Sequence, residues 1–223
     1  MAIEDAVARV DQFKGTSLTE TIGTVESRLA QASVDTGEVD RANRSLGINL
    51  ELLLALADVK RASAEIVVVI HAVGILYALP HILRPTEVVE ALSLGAGSAG
   101  SDFDLVTDQR IAEFKFIHWQ GGSEAMRKKT LFQDFFRLAR EDTDKEKYLY
   151  LLNTRIPLRF LRGRSNTTRL LDRNRRLATD FARRYGQMYR TVGEYYEVHQ
   201  DQVRLVNLVE VVPGFDAFMN GLQ

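Results

Sequence analysis

Residues 101–117, Ser-Asp-Phe-Asp-Leu-Val-Thr-Asp-Gln-Arg-Ile-Ala-Glu-Phe-Lys-Phe-Ile, constrain this chain more than any other segment. They read as two short strands joined by a tight turn at Thr107-Asp108-Gln109-Arg110. In the second strand Ile111, Glu113, Lys115 and Ile117 alternate with Ala112, Phe114 and Phe116. Side chains two apart on a strand share a face, so Glu113 and Lys115 stand side by side. Folding the hairpin back brings Asp104 opposite them. Phe114 and Phe116 require a covered surface on the other face. Two carboxylates and an ammonium held on apolar strands are costly to desolvate, and the grouping suits divalent-metal chemistry.

The flanking segments complete a unit. A helical run, residues 64–79, ends near Leu79-Pro80, and residues 87–94 read as a strand. The hairpin supplies strands 101–107 and 110–117. Residues 123–140 read as a helix with Ser123 as N-cap and Leu131, Phe132, Phe135, Phe136 and Leu138 at core spacing. Residues 147–153 read as the next strand. Gly95-Ala96-Gly97-Ser98-Ala99-Gly100 spells G-x-G-x-x-G, but the dinucleotide fingerprint needs a helix after it. A strand is expected there, so the loop reads as a flexible connection beside the site.

An Asp, a turn and then Glu-x-Lys inside an apolar strand resembles the PD-(D/E)XK nuclease superfamily. The matching residues are Asp104 and Glu113-Phe114-Lys115. The resemblance spans roughly residues 62–154. It implies an α/β fold with a restriction-endonuclease-like αβββαβ core and a mixed central sheet. The position before the Asp, often Pro in that family, is Phe103 here. The resemblance implies a Mg²⁺-dependent nuclease, with Mn²⁺ able to substitute. Asp104, Glu113 and the Phe114 carbonyl would be metal ligands, and Lys115 would assist the attacking water. Such hard oxygen donors suit Mg²⁺, which takes one or two carboxylates plus waters and phosphate oxygens. A fourth acidic group would come from the preceding helix, with Glu65 as the candidate at its start. His71, in the middle of that apolar helix, reads as a hydrogen-bonded core residue. Gln133 and Lys129, on the helix after the hairpin, are further candidates near the site.

Charge distribution points to a partner. The formal net charge of −1 hides an asymmetry: residues 155–190 hold eleven arginines and no lysine, against Asp172 and Asp180. Guanidinium forks match phosphate oxygens, and a one-sided basic segment is the electrostatic signature of nucleic-acid binding. Arg127, Lys129, Arg162, Arg164, Arg173 and Arg176 are the candidate contacts, with DNA the expected ligand. The competing reading is a non-catalytic nucleic-acid-binding or assembly subunit that keeps the fold.

Residues 1–60 read as a helical extension and residues 61–223 as the nuclease domain. The apolar stretch 46–57 is suited to packing on the core or on a second copy, so a homodimer or partner subunit is expected. Beyond Asn166 the pattern predicts one long arginine-rich helix to about His199, then a strand over 203–212 that joins the sheet. The absence of cysteine fits a reducing cytoplasm. The N-terminus lacks the basic-then-apolar order of a signal peptide, and the apolar run 66–79 is too short to span a bilayer. The expectation is therefore a soluble, cytoplasmic protein.

Overall fold

A computed structural model describes residues 2–14, 17, 20, 41, 43, 44, 47–95, 102–117, 119 and 125–221, leaving aside the side chains of Lys14, Ala64 and Glu65. The chain divides into two compact units, Met1–Val69 and Ile70–Gln223.

The first unit holds α1 (Ile3–Lys14) and most of α2 (Leu50–Ile82). Asn49 starts α2, its side-chain oxygen accepting from the Leu52 amide at 2.9 Å. Leu52 and Ala55 are buried, whereas Leu50, Leu53 and Leu54 are exposed. Two expectations change here. The helix begins at Leu50 rather than near Ala64, because nothing between Asn49 and Pro80 breaks it, so Glu65 lies in its middle. Pro80 sits inside the helix, which ends two residues later at Ile82. The residues that interrupt the apolar run do not interrupt the helix. With 33 residues and a mean hydropathy of 2.0 over an 18-residue stretch, α2 is long and apolar enough to cross a bilayer by length and composition.

The second unit is α/β, with a five-stranded mixed sheet in the order β1 (Val89–Leu92), β2 (Leu105–Thr107), β3 (Arg110–Lys115), β4 (Glu146–Leu151), β5 (Arg204–Asn207). The β1–β2 and β2–β3 pairs are antiparallel, while β3–β4 and β4–β5 run parallel. The helix α3 (Ala125–Arg140) makes the crossover between β3 and β4. The hairpin turn is closed by Thr107, whose hydroxyl accepts from the amides of Gln109 at 3.1 Å and Arg110 at 2.8 Å. Glu87 clamps the hairpin base, taking Arg110 through both carboxylate oxygens, with Thr107 donating to one of them. Strand β2 begins only at Leu105, shorter than expected. The Asp104 carboxylate takes the Phe114 amide at 2.8 Å, the donor a longer ladder would use.

Each face of β3 has its own core. Ile111 packs with Leu149 and Leu151 against Leu131, Phe135 and Leu138 of α3. On the opposite face Ala112, Phe114 and Phe116 pack with Tyr148, Tyr150, Ile75 and Ala78. The alternation read from the sequence is thus the alternation of two apolar layers. Phe114 stacks between Phe116 and Tyr150, with ring centroids 5.9 and 4.8 Å away.

The arginine-rich region is not one helix. Four helices occupy it: α4 (Arg155–Leu161), α5 (Thr167–Leu171), α6 (Arg175–Tyr185) and α7 (Val192–His199). Asn166 and Asn174 cap α5 and α6 by accepting from the amides of Arg169 and Leu177. Gly186, at φ 56°, ends α6, and Thr191 with Glu194 forms a capping box that starts α7. The final strand is likewise cut short. Asn207 caps a helical turn, α8 (Leu208–Val211), so only β5 joins the sheet, and α9 (Phe215–Gly221) follows.

Candidate active site

The hairpin and α3 gather six ionisable side chains. Asp104 stands at the foot of β2, with Oδ2 on the Phe114 amide and Oδ1 3.3 Å from Nε2 of His71. Glu113 projects from β3 toward α3 and is 3% exposed. Its Oε1 accepts from Arg137 Nη2 at 2.6 Å, and its Oε2 lies 3.9 Å from Lys115 Nζ. Lys115 Nζ is also 2.7 Å from Oδ2 of Asp134. Arg137 closes the group, reaching Asp134 Oδ1 at 2.7 Å and the Asp102 carbonyl at 3.1 Å. Asp104, Glu113 and Lys115 are therefore brought together.

Three carboxylates around two cations set the electrostatics. Burial, then repulsion from Asp134 and Asp104, pushes the Glu113 carboxyl up to about 9, against the pull of Arg137 and Lys115. Burial also works to raise Asp104, but the bonds from His71 and the Phe114 amide hold it below the usual carboxylate range. For Lys115, burial favours the neutral amine, and Asp134 and Glu113 outweigh it, so its pKa rises and the ammonium stays charged. The site thus has one carboxylate held ionised, one that holds its proton at neutral pH, and a permanent cation between them. Lys115 and Asp104 remain reachable from solvent, their side chains 21% and 16% exposed.

The donor chemistry fits a hard divalent cation. Asp104 and Glu113 offer carboxylate oxygens, and a cation bound there would displace the proton that burial and the neighbouring carboxylates of Asp134 and Asp104 keep on Glu113. Among the described residues no group of three or more His, Cys, Asp or Glu side chains is arranged to hold a metal. A cation here would therefore complete its shell with water and phosphate oxygens, as Mg²⁺ does. The side of Phe114 that meets Asp104 is its amide. Glu65 belongs to the first unit, and its side chain lies outside the described residues, as do residues 96–101 of the glycine loop and the Ser123 cap.

Three members of the cluster do not stand out in the sequence as site residues. Asp134 and Arg137 are spaced i, i+3 among the buried positions of α3, and two opposite charges on an otherwise apolar helix face are the only signal they give. His71 reads from its sequence surroundings as a core residue, and its partner in the fold is Asp104. Gln133 points elsewhere, its amide donating to the Leu170 carbonyl at 3.0 Å.

The basic candidates divide by environment. Arg127 lines a small hollow together with Lys115, Trp119 and Thr130. Lys129, Arg164 and Arg173 line a larger cleft between α3 and α5. Arg176 lies 3.9 Å from Asp102, just before Asp104 in the chain, and Arg162 is exposed at the end of α4. Not every arginine is available: Arg140, Arg183 and Arg184 converge on Asp180. All eleven arginines of residues 155–190 are solvent-exposed. No protein-family model, curated protein or solved structure matches this chain, so the site's geometry carries the functional reading.

Proposed function

We propose that this chain is a metal-dependent nuclease with a restriction-endonuclease-like core, hydrolysing phosphodiester bonds in DNA. The observation that carries it is the grouping at the hairpin of Asp104, Glu113 and Lys115, close enough for each to feel the others' charge, backed by apolar layers on both sides of the sheet. The order α2, β1, β2, β3, α3, β4, antiparallel first and then parallel, supports the same reading.

In this account Asp104 and Glu113 hold Mg²⁺, with Mn²⁺ an acceptable substitute. The bound cation supplies Lewis acidity, polarising the phosphate and lowering the pKa of water. Lys115 stays protonated, so it acts as a fixed positive charge that orients water and stabilises charge growing on the phosphate, rather than as a base. Arg137 positions Glu113 through its 2.6 Å bond and keeps that side chain turned toward the hairpin face. Arg127, Lys129, Arg162, Arg164, Arg173 and Arg176 hold the nucleic-acid backbone.

A second reading, a non-catalytic nucleic-acid-binding or assembly subunit, is favoured by one observation: Arg137 already occupies a Glu113 oxygen. Cleavage separates the two. Single-stranded, double-stranded and circular DNA are incubated with Mg²⁺ or Mn²⁺, with EDTA as control, alongside Asp104→Ala and Lys115→Ala. The nuclease reading expects metal-dependent cutting that both substitutions abolish. Salt-sensitive binding without cutting of any substrate supports the subunit instead.

A further inference from the structure

The cleft between α3 and α5 has a volume of about 700 Å³. Five cationic side chains, Lys128, Lys129, Arg164, Arg169 and Arg173, line it against one carboxylate, Asp172. That carboxylate is already engaged, 2.8 Å from Lys129 Nζ. Arg164, Arg169 and Arg173 are exposed and form no ion pair among the described residues. Between the charges lies an apolar floor of Ala125, Met126 and Leu170. The walls are tied together where Gln133 donates to the Leu170 carbonyl, and Asn166 is committed to the Arg169 amide.

We propose that this cleft binds the sugar-phosphate backbone of a single nucleic-acid strand and leads it to the hairpin site. The proposal rests on the nuclease reading only in naming nucleic acid as the ligand. Unpaired guanidinium forks over an apolar floor suit a ligand that is anionic on one edge and apolar on the other, which a strand is. The cleft is the size of a small-ligand pocket. A double helix, whose major groove alone is about 12 Å wide, does not fit within it.

The position of the cleft favours a strand over an acidic peptide. The same helix α3 carries Lys129 in the cleft and Arg137 in the ionic cluster, eight residues apart, which is about 12 Å along the axis. Arg127, on the same helix, shares the small hollow with Lys115. One helix thus presents cationic side chains both to the cleft and to the hollow beside Lys115, and a peptide ligand gives no reason for that arrangement.

The test is direct binding in EDTA, which silences cleavage and so separates this proposal from the nuclease reading. Labelled oligothymidylate and oligouridylate, a duplex of matched length, polyglutamate and ATP are titrated against three proteins. These are the wild type, Arg164→Gln/Arg169→Gln/Arg173→Gln, and a charge-matched control outside the cleft, Arg155→Gln/Arg159→Gln/Arg190→Gln. The expected result is single-strand binding that falls at least about tenfold in the cleft variant and much less in the control. The slope of log affinity against log salt becomes shallower by about 2, since each phosphate that an arginine neutralises adds roughly 0.7 on a single strand. Equal losses in both variants, tighter binding of duplex than of single strand, or preferred binding of polyglutamate or ATP would each overturn the proposal. So would an unaffected cleft variant. Binding that follows this pattern in a protein that cuts nothing would leave the cleft standing and remove only the nuclease.

Discussion

Arg137→Met removes a side chain that, like Lys115, bridges both buried carboxylates of the site. Arg137 donates to Glu113 at 2.6 Å, to Asp134 at 2.7 Å and to the Asp102 carbonyl at 3.1 Å. Glu113 and Asp134 are almost fully buried, while the Arg137 side chain is 29% exposed. Removing one partner of a buried ion pair costs about 3–5 kcal/mol; partial solvent access to the arginine, and Lys115 still 2.7 Å from Asp134, place this case near the lower end. A loss of about 3 kcal/mol lowers the melting temperature by about 6–12 °C for a chain of this size. The single tryptophan, Trp119, is buried in the core beside α3, so its fluorescence reports unfolding of the second unit alone. Urea midpoints should fall without a change in slope. Asp134→Asn, which removes the carboxylate 2.7 Å from Arg137, should recover part of the loss, with a coupling of about 1–3 kcal/mol in the double-mutant cycle. A loss below about 0.5 kcal/mol, additive with Asp134→Asn, would show that the cluster is solvated and would refute the electrostatic picture.

Two more predictions concern the same unit. The Glu113 carboxyl is pushed up to about 9 in the fold, above its value in the unfolded chain. Its contribution to stability is then complete below the ordinary carboxylate pKa of about 4.3 and is lost as pH rises through 9. Urea midpoints of metal-free wild type should therefore decline across that window and Glu113→Gln should flatten the decline; parallel profiles would count against the raised pKa. At Gly74 of α2 a Cβ would lie 2.7 Å from the Phe116 ring, which Phe114, His71 and Phe215 surround. Helix propensity alone favours Gly74→Ala by about 1 kcal/mol, whereas overpacking costs about 1–3 kcal/mol. Net destabilisation in urea is expected, and a more stable variant would show that Phe116 is free to move.

The hairpin was legible because its signals are local. Strict alternation from Ile111 to Phe116 encoded two buried faces, and one turn brought Asp104 back onto them. Asp134 and Arg137 were hidden because their partners lie on β3, about twenty residues earlier, a pairing that no spacing along the chain announces. The C-terminal half misled for another reason. Arginines and apolar residues at helical spacing continue past Asn174 and Gly186, so periodicity suggested one helix where caps cut it into several. Residues 208–211 carry the β-branched composition of a strand, yet Asn207 accepts the Val209 amide and turns the chain into a helix. At both places one polar side chain bonding the backbone outweighs the pattern around it.

The most direct test of the account is Mn²⁺ binding followed by electron paramagnetic resonance in wild type, Asp104→Asn and Glu113→Gln. If the hairpin carboxylates hold the catalytic cation, wild type binds about one Mn²⁺ per chain, as expected of a two-carboxylate site. Mg²⁺ displaces it, and each substitution abolishes the signal change while leaving the Trp119 fluorescence of the fold intact. Binding of no Mn²⁺ by folded wild type, or equal binding by all three proteins, would contradict the claim that Asp104 and Glu113 form a metal site.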